Sequence, residues 1–471
     1  MSAALDELVA LIQQSSGSQP ELKQLLGTLK QQEPQLIQMM PQLDDAAEAL
    51  APQLHTLGLI FILSCKAPGV PTTPNVVDAP NSLRAVQVFI AQCRRMLLAA
   101  DPIQVQMVPS HFVNVCRKFT DAAIAVRSPI SAVRPLQAAA CALQPSAAHF
   151  TPIHADFMRI CLLSKCYVAA QPLLDQELLQ VDKEGTLVTP RDLLLYHYYA
   201  GMVQVGLKRF RAAVDSFTLC FSAPTAVLNA IMVEAYKKCM LCTLIQSGEQ
   251  VRSPKYTAPS ISRHVKSLTP YVEYVEEFGK RKMEGLRACL EKHGAAFERD
   301  HNLGLAKQCL QALIKFNIQR LTTTYLTLSL AHIAERVELS GAAEAERYAP
   351  RAASERRVLL AAASCALRAA LYPLGTLCVC ACRYVTSMVG AGEISAAIDE
   401  SQGMVHFTER SESHSSAAAI ANMESNIAAA IELARKLSEM NSQLSADPHY
   451  LQRITSQERQ PRWDEDAMVT K

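Results

Sequence analysis

Glycine and tryptophan are scarce in this sequence, because its 471 residues include 17 glycines and a single tryptophan. Few glycines together with many straight-chain residues favour helices over sheets. An excess of basic residues is also lacking, since 46 Lys and Arg stand against 44 Asp and Glu. This balance excludes a bulk basic surface for nucleic acid. The composition of 49% apolar and 19% charged residues excludes disorder across the whole chain and predicts roughly three folding units.

No stretch of the sequence is typical of a secretory signal or a membrane span. Asp6 and Glu7 stand where a signal peptide would carry positive charge. The most apolar stretch, Val358–Cys382, is divided by Arg368 into two pieces that are each shorter than the roughly twenty residues a span needs. The fifteen cysteines are odd in number and scattered. We therefore predict reduced thiols in a protein of the cytoplasm and nucleus that has no contact with membranes.

Common catalytic motifs are absent as well. The sequence contains no G-x-x-x-x-G-K-[ST] phosphate loop, no H-E-x-x-H, no G-x-S-x-G and no G-x-G-x-x-G. It also lacks the H-x-H pair that a zinc isopeptidase would use as ligands. The sequence therefore predicts a protein that is not an enzyme, with no catalytic residues, no cofactor and no metal.

Three clusters of thiols or imidazoles resemble ligand sets, but they favour another interpretation. Cys239 and Cys242 have zinc-like spacing within a predicted helix that offers no second ligand pair. The three cysteines of the segment Cys378–Cys382 have no histidine or acid close by. His149 and His154 do not share a helical face. We interpret the cysteines as small buried hydrophobic residues, and the histidines as residues of a loop and a helix start.

One segment carries a helical-repeat signature. Residues 196–222 predict a helix, a turn and a second helix. Aligning Gly201 with the close-packing glycine of a tetratricopeptide repeat puts Ala213 and Phe217 at the expected small and aromatic positions. The match is partial, because Pro224 falls one residue early, and an ordinary antiparallel helix pair is the alternative. Before this segment the chain predicts a series of helices separated by prolines, including Pro34.

The pattern changes after about residue 302 towards a winged helix. Ser329 can cap a helix, and residues 342–348 predict the start of a second one. A β-hairpin is predicted next. Apolar residues alternate from Ile394 to Ile398, a turn follows, and Met404–Phe407 provides the second strand. Helix, turn, helix and hairpin together form the layout of a winged helix.

Winged helices often bind nucleic acid, but the predicted second helix argues against that partner. A helix that enters a groove carries Arg and Lys towards phosphates and base edges. Here the helix offers Glu344, Glu346 and a single Arg347, so its surface would repel phosphate. We therefore predict no contact with nucleic acid.

A long helix is predicted from Ser413 to about Ala446. Its apolar residues step by three and four, which is the spacing of coiled coils and helix bundles. The large ones are Ile420, Met423, Ile427, Leu437 and Leu444. Asp447-Pro448 ends the helix, and the polar tail that follows is predicted to be disordered.

Several segments resemble a known family. Phe297–Leu310, Asn317–Thr322 and Tyr325–Leu330 carry the resemblance most specifically, and Ala345–Tyr348 and Gly403–Phe407 extend it. They resemble the PCI-domain family and, within it, the subunit 3 family of the COP9 signalosome. Upstream segments such as Ile153–Asp156, Glu234–Lys238 and Lys255–Thr257 are similar to the same family, so the resemblance covers nearly the whole chain in order.

The resemblance implies a mainly α fold, with an N-terminal right-handed TPR-like solenoid, a PCI winged helix and a long C-terminal helix. Wings of such proteins join edge to edge, and their C-terminal helices enter a shared bundle. The complex removes a ubiquitin-like protein from the cullins of cullin-RING ubiquitin ligases, and its isopeptidase is another subunit. This chain would be a non-catalytic scaffold in a hetero-oligomer beside the first and eighth subunits, linked indirectly to ubiquitin-dependent protein catabolism. The alternative is a PCI subunit of the proteasome lid or of translation initiation factor three.

We predict five segments on this basis. They are N-terminal helical repeats at 1–195, TPR-like repeats at 196–310, the winged helix at 311–410, the bundle helix at 411–447 and a disordered tail at 448–471. Assembly is assigned to the hairpin and to the apolar face of the last helix. The assigned residues are Ile394, Ile398, Met404, Phe407, Ile420, Met423, Ile427, Leu437 and Leu444.

Residues 349–384 depart from the family, whose members run directly from the Ala-Glu-Arg-Tyr motif into a hydrophobic helix end. The dipeptide Arg-Tyr occurs at both borders, ending at Tyr348 and at Tyr384. Removing the segment would join Tyr348 to Val385 and restore one helix, which Gly390 could end. We interpret the segment as an atypical insert that arises from a retained intron or an error in the gene model. A genuine extra helix pair is the alternative, and peptide mass spectrometry of the natural protein would distinguish the two.

Overall fold

The structure, a computed structural model, is mainly α-helical, as the sequence predicts. It describes residues 3–15, 18–38, 43–71, 80–176, 178, 180–223, 228–255, 257, 259–265, 267–338, 375–399, 402–408, 417–448 and 450–452. The helices and strands in these ranges are α1 (Ala3–Gln14), α2 (Gln19–Gln38), α3 (Leu43–Ala49), α4 (Thr56–Lys66), α5 (Pro80–Ala99), α6 (Pro102–Met107), α7 (Pro109–Ala125), α8 (Val133–Leu143), α9 (Pro152–Leu163), α10 (Gln171–Leu174), α11 (Lys183–Thr186), α12 (Pro190–Gly206), α13 (Phe210–Ser222), α14 (Ala230–Ser247), α15 (Pro259–Val265), α16 (Thr269–Gly279), α17 (Met283–Arg299), α18 (Leu303–Thr324), β1 (Thr327–Ser329), α19 (Leu330–Arg336), α20 (Gly375–Gly390), β2 (Ala396–Asp399), β3 (Met404–Phe407) and α21 (Ala417–Ala446).

Prolines begin several helices of the N-terminal half, which agrees with their predicted role as breaks. Pro102, Pro109 and Pro152 stand at the first positions of α6, α7 and α9, where the missing N–H would have no partner in any case. The prediction that Pro34 ends a helix is wrong, because α2 continues through it to Gln38. Leu36, beyond the proline, is buried, so packing of the apolar face outweighs the lost hydrogen bond.

Helices α12 and α13 form the predicted helical pair. A Cβ atom added at Gly201 would lie 2.6 Å from a ring carbon of Phe217, so only glycine lets the two helices approach this closely. Ala213 and Phe217 are fully buried at that contact. The three residues that the signature singled out therefore meet, as they do at the close contact of a helical repeat.

The hydrophobic core is divided into two clusters that meet on α12. The first cluster extends from Leu8 to Val203, and the second extends from Leu194 to Phe407. Leu194 packs in the second cluster, whereas Tyr196 and Val203 on the same helix pack in the first. The predicted border at residue 195 thus falls inside a continuous helix that both cores share.

The C-terminal domain has the parts of a winged helix. The Ser329 side chain accepts a hydrogen bond from the His332 N–H and caps α19, as predicted. Helix α20 packs against α19, and Ala381 and Val385 of α20 are fully buried. The predicted second helix at 342–348 lies outside the described residues, and so does most of the 349–384 segment. The last ten residues of that segment form the beginning of α20.

The wing is a three-stranded antiparallel sheet with the order β1-β3-β2. The predicted hairpin is present, and Ile398 lies opposite Val405 across it. Strand β1 was not predicted, and it pairs Leu328 with Val405 on the other side of β3. No helix in the described ranges is long and apolar enough to cross a membrane.

Candidate assembly interface

Within the described residues the outer strands of the wing are β1 and β2, whereas the sequence suggested that the two strands of the hairpin would leave edges open. Strand β3 hydrogen bonds to β1 on one side and to β2 on the other. The backbone of Met404–Phe407 is therefore not available as an edge, which corrects the expectation from the hairpin alone. Strand β2 (Ala396–Asp399) remains an outer strand of the sheet that the described residues form, and an outer strand can pair with a strand of another chain.

The register shows which backbone groups of β2 point outwards. The Thr408 N–H donates to the Ser395 carbonyl at 3.0 Å, so residues 395 and 408 form a hydrogen-bonded pair. Hydrogen-bonded and non-hydrogen-bonded pairs alternate along an antiparallel ladder. Ala397 therefore pairs inwards to β3, and Ala396 and Ile398 direct their N–H and C=O groups to the open edge.

Four side chains of the wing were assigned to assembly, and the structure places them differently. Ile394 and Phe407 are each 7% exposed and belong to the core of the domain itself. Ile398 and Met404 are half-buried. A partner at this edge would therefore meet mainly backbone groups, with Ile398 as the accessible apolar side chain.

The assigned residues of α21 are all exposed. They are joined by Ile431 and Leu433, which the sequence reasoning did not list. The exposed fractions are 47% for Ile420, 53% for Met423, 60% for Ile427, 66% for Ile431, 57% for Leu433, 57% for Leu437 and 48% for Leu444. We call these seven residues the apolar stripe. A stripe of this length on one helix marks a surface that another protein covers.

Charged residues occupy the other side of α21. Arg435 forms ion pairs with Glu432 at 2.7 Å and with Glu439 at 3.3 Å. Since successive residues of a helix are about 100° apart, these three side chains lie roughly opposite Leu437 of the apolar stripe. The helix is therefore amphipathic, with a polar face suited to solvent and an apolar stripe suited to a bundle.

A buried polar network joins α14 to the turn before α18. Lys238 is 6% exposed, and its ammonium donates to Asn302 Oδ1 at 2.7 Å. Asn302, which is fully buried, donates through Nδ2 to the Tyr271 hydroxyl, and that hydroxyl donates to Asp300. Burial lowers the pKa of Lys238. Two segments that carry the family resemblance, Glu234–Lys238 and Phe297–Leu310, therefore contact each other through this network.

Lys237 joins α14 to the same turn before α18, next to the buried network. Its ammonium pairs with Glu234 at 2.7 Å and with Asp300 at 2.8 Å. Burial alone would lower the pKa of Lys237, but the bonds to the two carboxylates raise it above its usual value. The neighbouring Lys237 and Lys238 thus both hold α14 to the turn at residues 300–302.

Cys239, Cys242 and His154 lie where the sequence predicts, and of the third cluster Cys380 is buried and Cys382 is half-buried. Cys239 and Cys242 are fully buried within α14, and burial raises the pKa of the Cys239 thiol to about 11. Cysteines of the described residues are free rather than disulfide-bonded. His154 lies in the first turn of α9, where its Nδ1 lies 2.7 Å from the Thr151 hydroxyl. Burial lowers the pKa of His154 to about 4, so the imidazole is neutral at physiological pH.

Asp156 is a poorly paired acid of the first core. Its Oδ2 atom is buried without a hydrogen-bond partner, and burial raises the pKa of the carboxyl to about 7 despite nearby Arg117.

Because the folded-state pKa of Asp156 lies above the unfolded value, the folded protein loses stability as pH rises from about 4 to 7. We expect Asp156→Asn to raise the free energy of unfolding at pH 8 by roughly 2 kcal/mol. Urea unfolding should show this gain shrinking towards pH 4, and a gain that does not depend on pH would contradict the assignment.

The sequence reasoning missed one cluster that the helical hairpin of α16 and α17 brings together. Glu273, Cys289 and His293 each offer one ligand atom, and these atoms lie within 4.8 Å of one another. Cys289 and His293 are one turn apart on α17, a spacing that could have flagged them, but Glu273 comes from α16 and no local pattern connects it to them.

Comparisons with known proteins agree with this architecture. The family model described as COP9 signalosome complex subunit 3, N-terminal helical repeats, matches residues 19–261, and the PCI domain model matches residues 290–358. COP9 signalosome complex subunit 3 of Dictyostelium discoideum is 30% identical over 440 residues, which are 93% of each chain. The protein of the same name from Arabidopsis thaliana is 32% identical over 463 residues, covering 98% of this chain and 95% of the relative. The PCI match ends at residue 358, inside the 349–384 segment. With a family model covering half of its length and relatives matching nearly all of it, the chain belongs to the family of COP9 signalosome subunit 3.

Proposed function

We propose that this chain is a non-catalytic scaffold subunit of the COP9 signalosome, the complex that deneddylates the cullins of cullin-RING ubiquitin ligases. The two relatives are named as subunit 3 of that complex, and the chain aligns with nearly the whole length of each. In this proposal the isopeptidase belongs to another subunit, and the present chain supplies surfaces that hold subunits in place. Its place of action would be the cytoplasm and the nucleus.

The observation that carries the proposal is the apolar stripe of α21. Seven large apolar side chains project from one 30-residue helix, and each is at least 47% exposed in the isolated chain. Burying such a side chain contributes roughly 1.5–3 kcal/mol, so the stripe strongly favours a covered state. Helices of other subunits are the occupants we propose, with the stripe facing the centre of a shared bundle.

The open edge of β2 is the second contact. We propose that a neighbouring PCI subunit adds its own wing to this edge, and that the first and eighth subunits are the neighbours. Cullin-RING ligases would be reached only through the rest of the complex. Neither a nucleic acid nor a membrane is part of the proposal.

Co-purification tests the assignment of the complex. The tagged chain, expressed in its native cells, should bring down an assembly that removes the ubiquitin-like modifier from a neddylated cullin. The alternative, a subunit of the proteasome lid or of translation initiation factor three, predicts proteasomes or ribosomal subunits in the same eluate instead. Absence of cullin-deneddylating activity from an intact eluate would overturn the proposal.

A single proline tests the wing. Ala396→Pro removes an outward N–H donor while leaving the inward pairs of β2 intact, because Ala397 carries the hydrogen bonds to β3. We expect weaker binding to one neighbouring subunit only, measured by quantitative co-precipitation of each subunit. Ala397→Lys is the matched control, since it changes an exposed side chain and keeps every backbone donor. Equal loss of all subunits from Ala396→Pro would indicate unfolding of the domain and contradict an edge contact.

A further inference from the structure

The α16–α17 hairpin brings together a thiol, an imidazole and a carboxylate that the assembly contacts do not use. Cys289 is 6% exposed, and the side chains of His293 and Glu273 are 15% and 36% exposed. Their ligand atoms lie within 4.8 Å of one another. The cluster is thus recessed but open to solvent on the side of Glu273, so an ion could enter from there.

The spacing along α17 suits chelation. Residues four apart on a helix lie on one face, so Cys289 and His293 point to the same place. Glu273 approaches from the facing helix, and its Oε2 lies 2.7 Å from His293 Nε2. Zn²⁺ binds thiolate sulfur at about 2.3 Å and imidazole nitrogen or carboxylate oxygen at about 2.0–2.2 Å. A tetrahedral ion would hold ligand atoms about 3.3–3.6 Å apart, so Glu273 Oε2 and His293 Nε2 would separate by about 0.6 Å and the sulfur would shift by about 1 Å, which side-chain torsions can supply.

The surrounding charges favour a cation. Glu277, one turn after Glu273 on α16, faces the same helix, since a Cβ atom added at Gly285 would lie 2.8 Å from its Oε2. Glu273 and Glu277 therefore both face α17, and the Lys280 ammonium that pairs with Glu277 at 2.6 Å belongs to a side chain that is 62% exposed. Lys292 now donates to Glu273 at 2.8 Å, but its side chain is 64% exposed and can turn into water at a small cost.

We infer that Glu273, Cys289 and His293 form a zinc site that ties α16 to α17, with Glu277 or water as the fourth ligand. A mixed set of sulfur, nitrogen and oxygen ligands suits zinc rather than the oxygen-preferring Ca²⁺ or Mg²⁺. On binding, the thiol releases its proton to solvent, and the ammonium of Lys292 leaves Glu273. The ion would stiffen the hairpin whose second helix leads into the PCI-matched residues 290–358, with His293 already inside the match.

Cobalt titration of the purified full chain tests this site. Co²⁺ at a thiolate-containing tetrahedral site gives a charge-transfer band, and Zn²⁺ should abolish it as it displaces cobalt. We expect one equivalent of cobalt with this band in the wild-type chain. Cys289→Ala should lose it, with at least ~100-fold weaker binding. Cys242→Ala removes a buried thiol outside the cluster and should retain the band.

Two further variants separate a metal site from a simple ion pair. Lys292→Gln removes the cation that competes for Glu273 and should tighten cobalt binding, by roughly fivefold. His293→Gln should weaken binding and reduce the thermal shift that zinc produces, and it serves as the ligand variant if Cys289→Ala does not fold. No charge-transfer band in the wild-type chain, or a band that persists in Cys289→Ala, would overturn the inference.

Discussion

Replacing Ile427 and Leu437 with aspartate should release the chain from its complex without unfolding it. Both residues belong to the apolar stripe and are 60% and 57% exposed in the isolated chain. Their burial against partner helices contributes about 1.5–3 kcal/mol each, and a buried aspartate adds a desolvation cost. The affinity should therefore fall by more than about a hundredfold. Size-exclusion chromatography of co-expressed subunits should show the variant eluting alone.

The opposite face of α21 provides the control. Glu432→Ala with Glu439→Ala removes both partners of Arg435 but leaves the stripe intact, so complex formation should persist. Truncation after residue 412 should abolish complex formation as the aspartate variant does. The helical circular dichroism signal should fall only in proportion to the length of the removed helix. A truncated chain that still enters a complex of full size would show that the stripe is not an assembly surface.

Asn302→Leu should cause a large loss of stability. The substitution leaves the buried Lys238 ammonium without its acceptor at 2.7 Å and the Tyr271 hydroxyl without a donor. Breaking a buried charged contact by removing one partner costs about 3–5 kcal/mol. Denaturant unfolding of the full chain should show this decrease, and the second core should be affected more than the first because the network lies among residues of the second.

A double-mutant cycle tests whether the lost contact between Lys238 and Asn302 causes this destabilisation. Lys238→Met removes the charge and should cost less than Asn302→Leu, since no unpaired ion is left behind. Combining the two should recover much of the stability, because an apolar pair of similar size can replace a buried polar pair at little cost. Simple additivity of the two losses would mean that Lys238 and Asn302 are not energetically coupled.

Much of this architecture can be predicted from local sequence. The contact of Gly201 with Phe217, the Ser329 cap and the β2–β3 hairpin each depend on residues within about twenty positions of one another, so periodicity and spacing reveal them. The amphipathic α21 is equally visible, because a helix of thirty residues repeats its pattern many times.

What the sequence could not reveal depends on distant partners. Strand β1 has three residues, and it becomes a strand only because β3 lies beside it. The assignment of Ile394 and Phe407 to assembly rested on hydrophobicity, which cannot distinguish a surface contact from the domain's own core. Glu273 meets Cys289 and His293 only through a helical hairpin, and Lys238 meets Asn302 only because two repeats stack.

The central position of β3 has a consequence for biosynthesis. Strand β1 leaves the ribosome long before Met404–Phe407, and β3 must be present before either outer strand can pair with it. The first core, which ends at Val203, contains no residue of that late segment and can pack while translation continues. The solenoid should therefore mature co-translationally, whereas the wing edge becomes competent only after release of nearly the whole polypeptide. Recruitment of neighbours through the wing would then be restricted to finished chains.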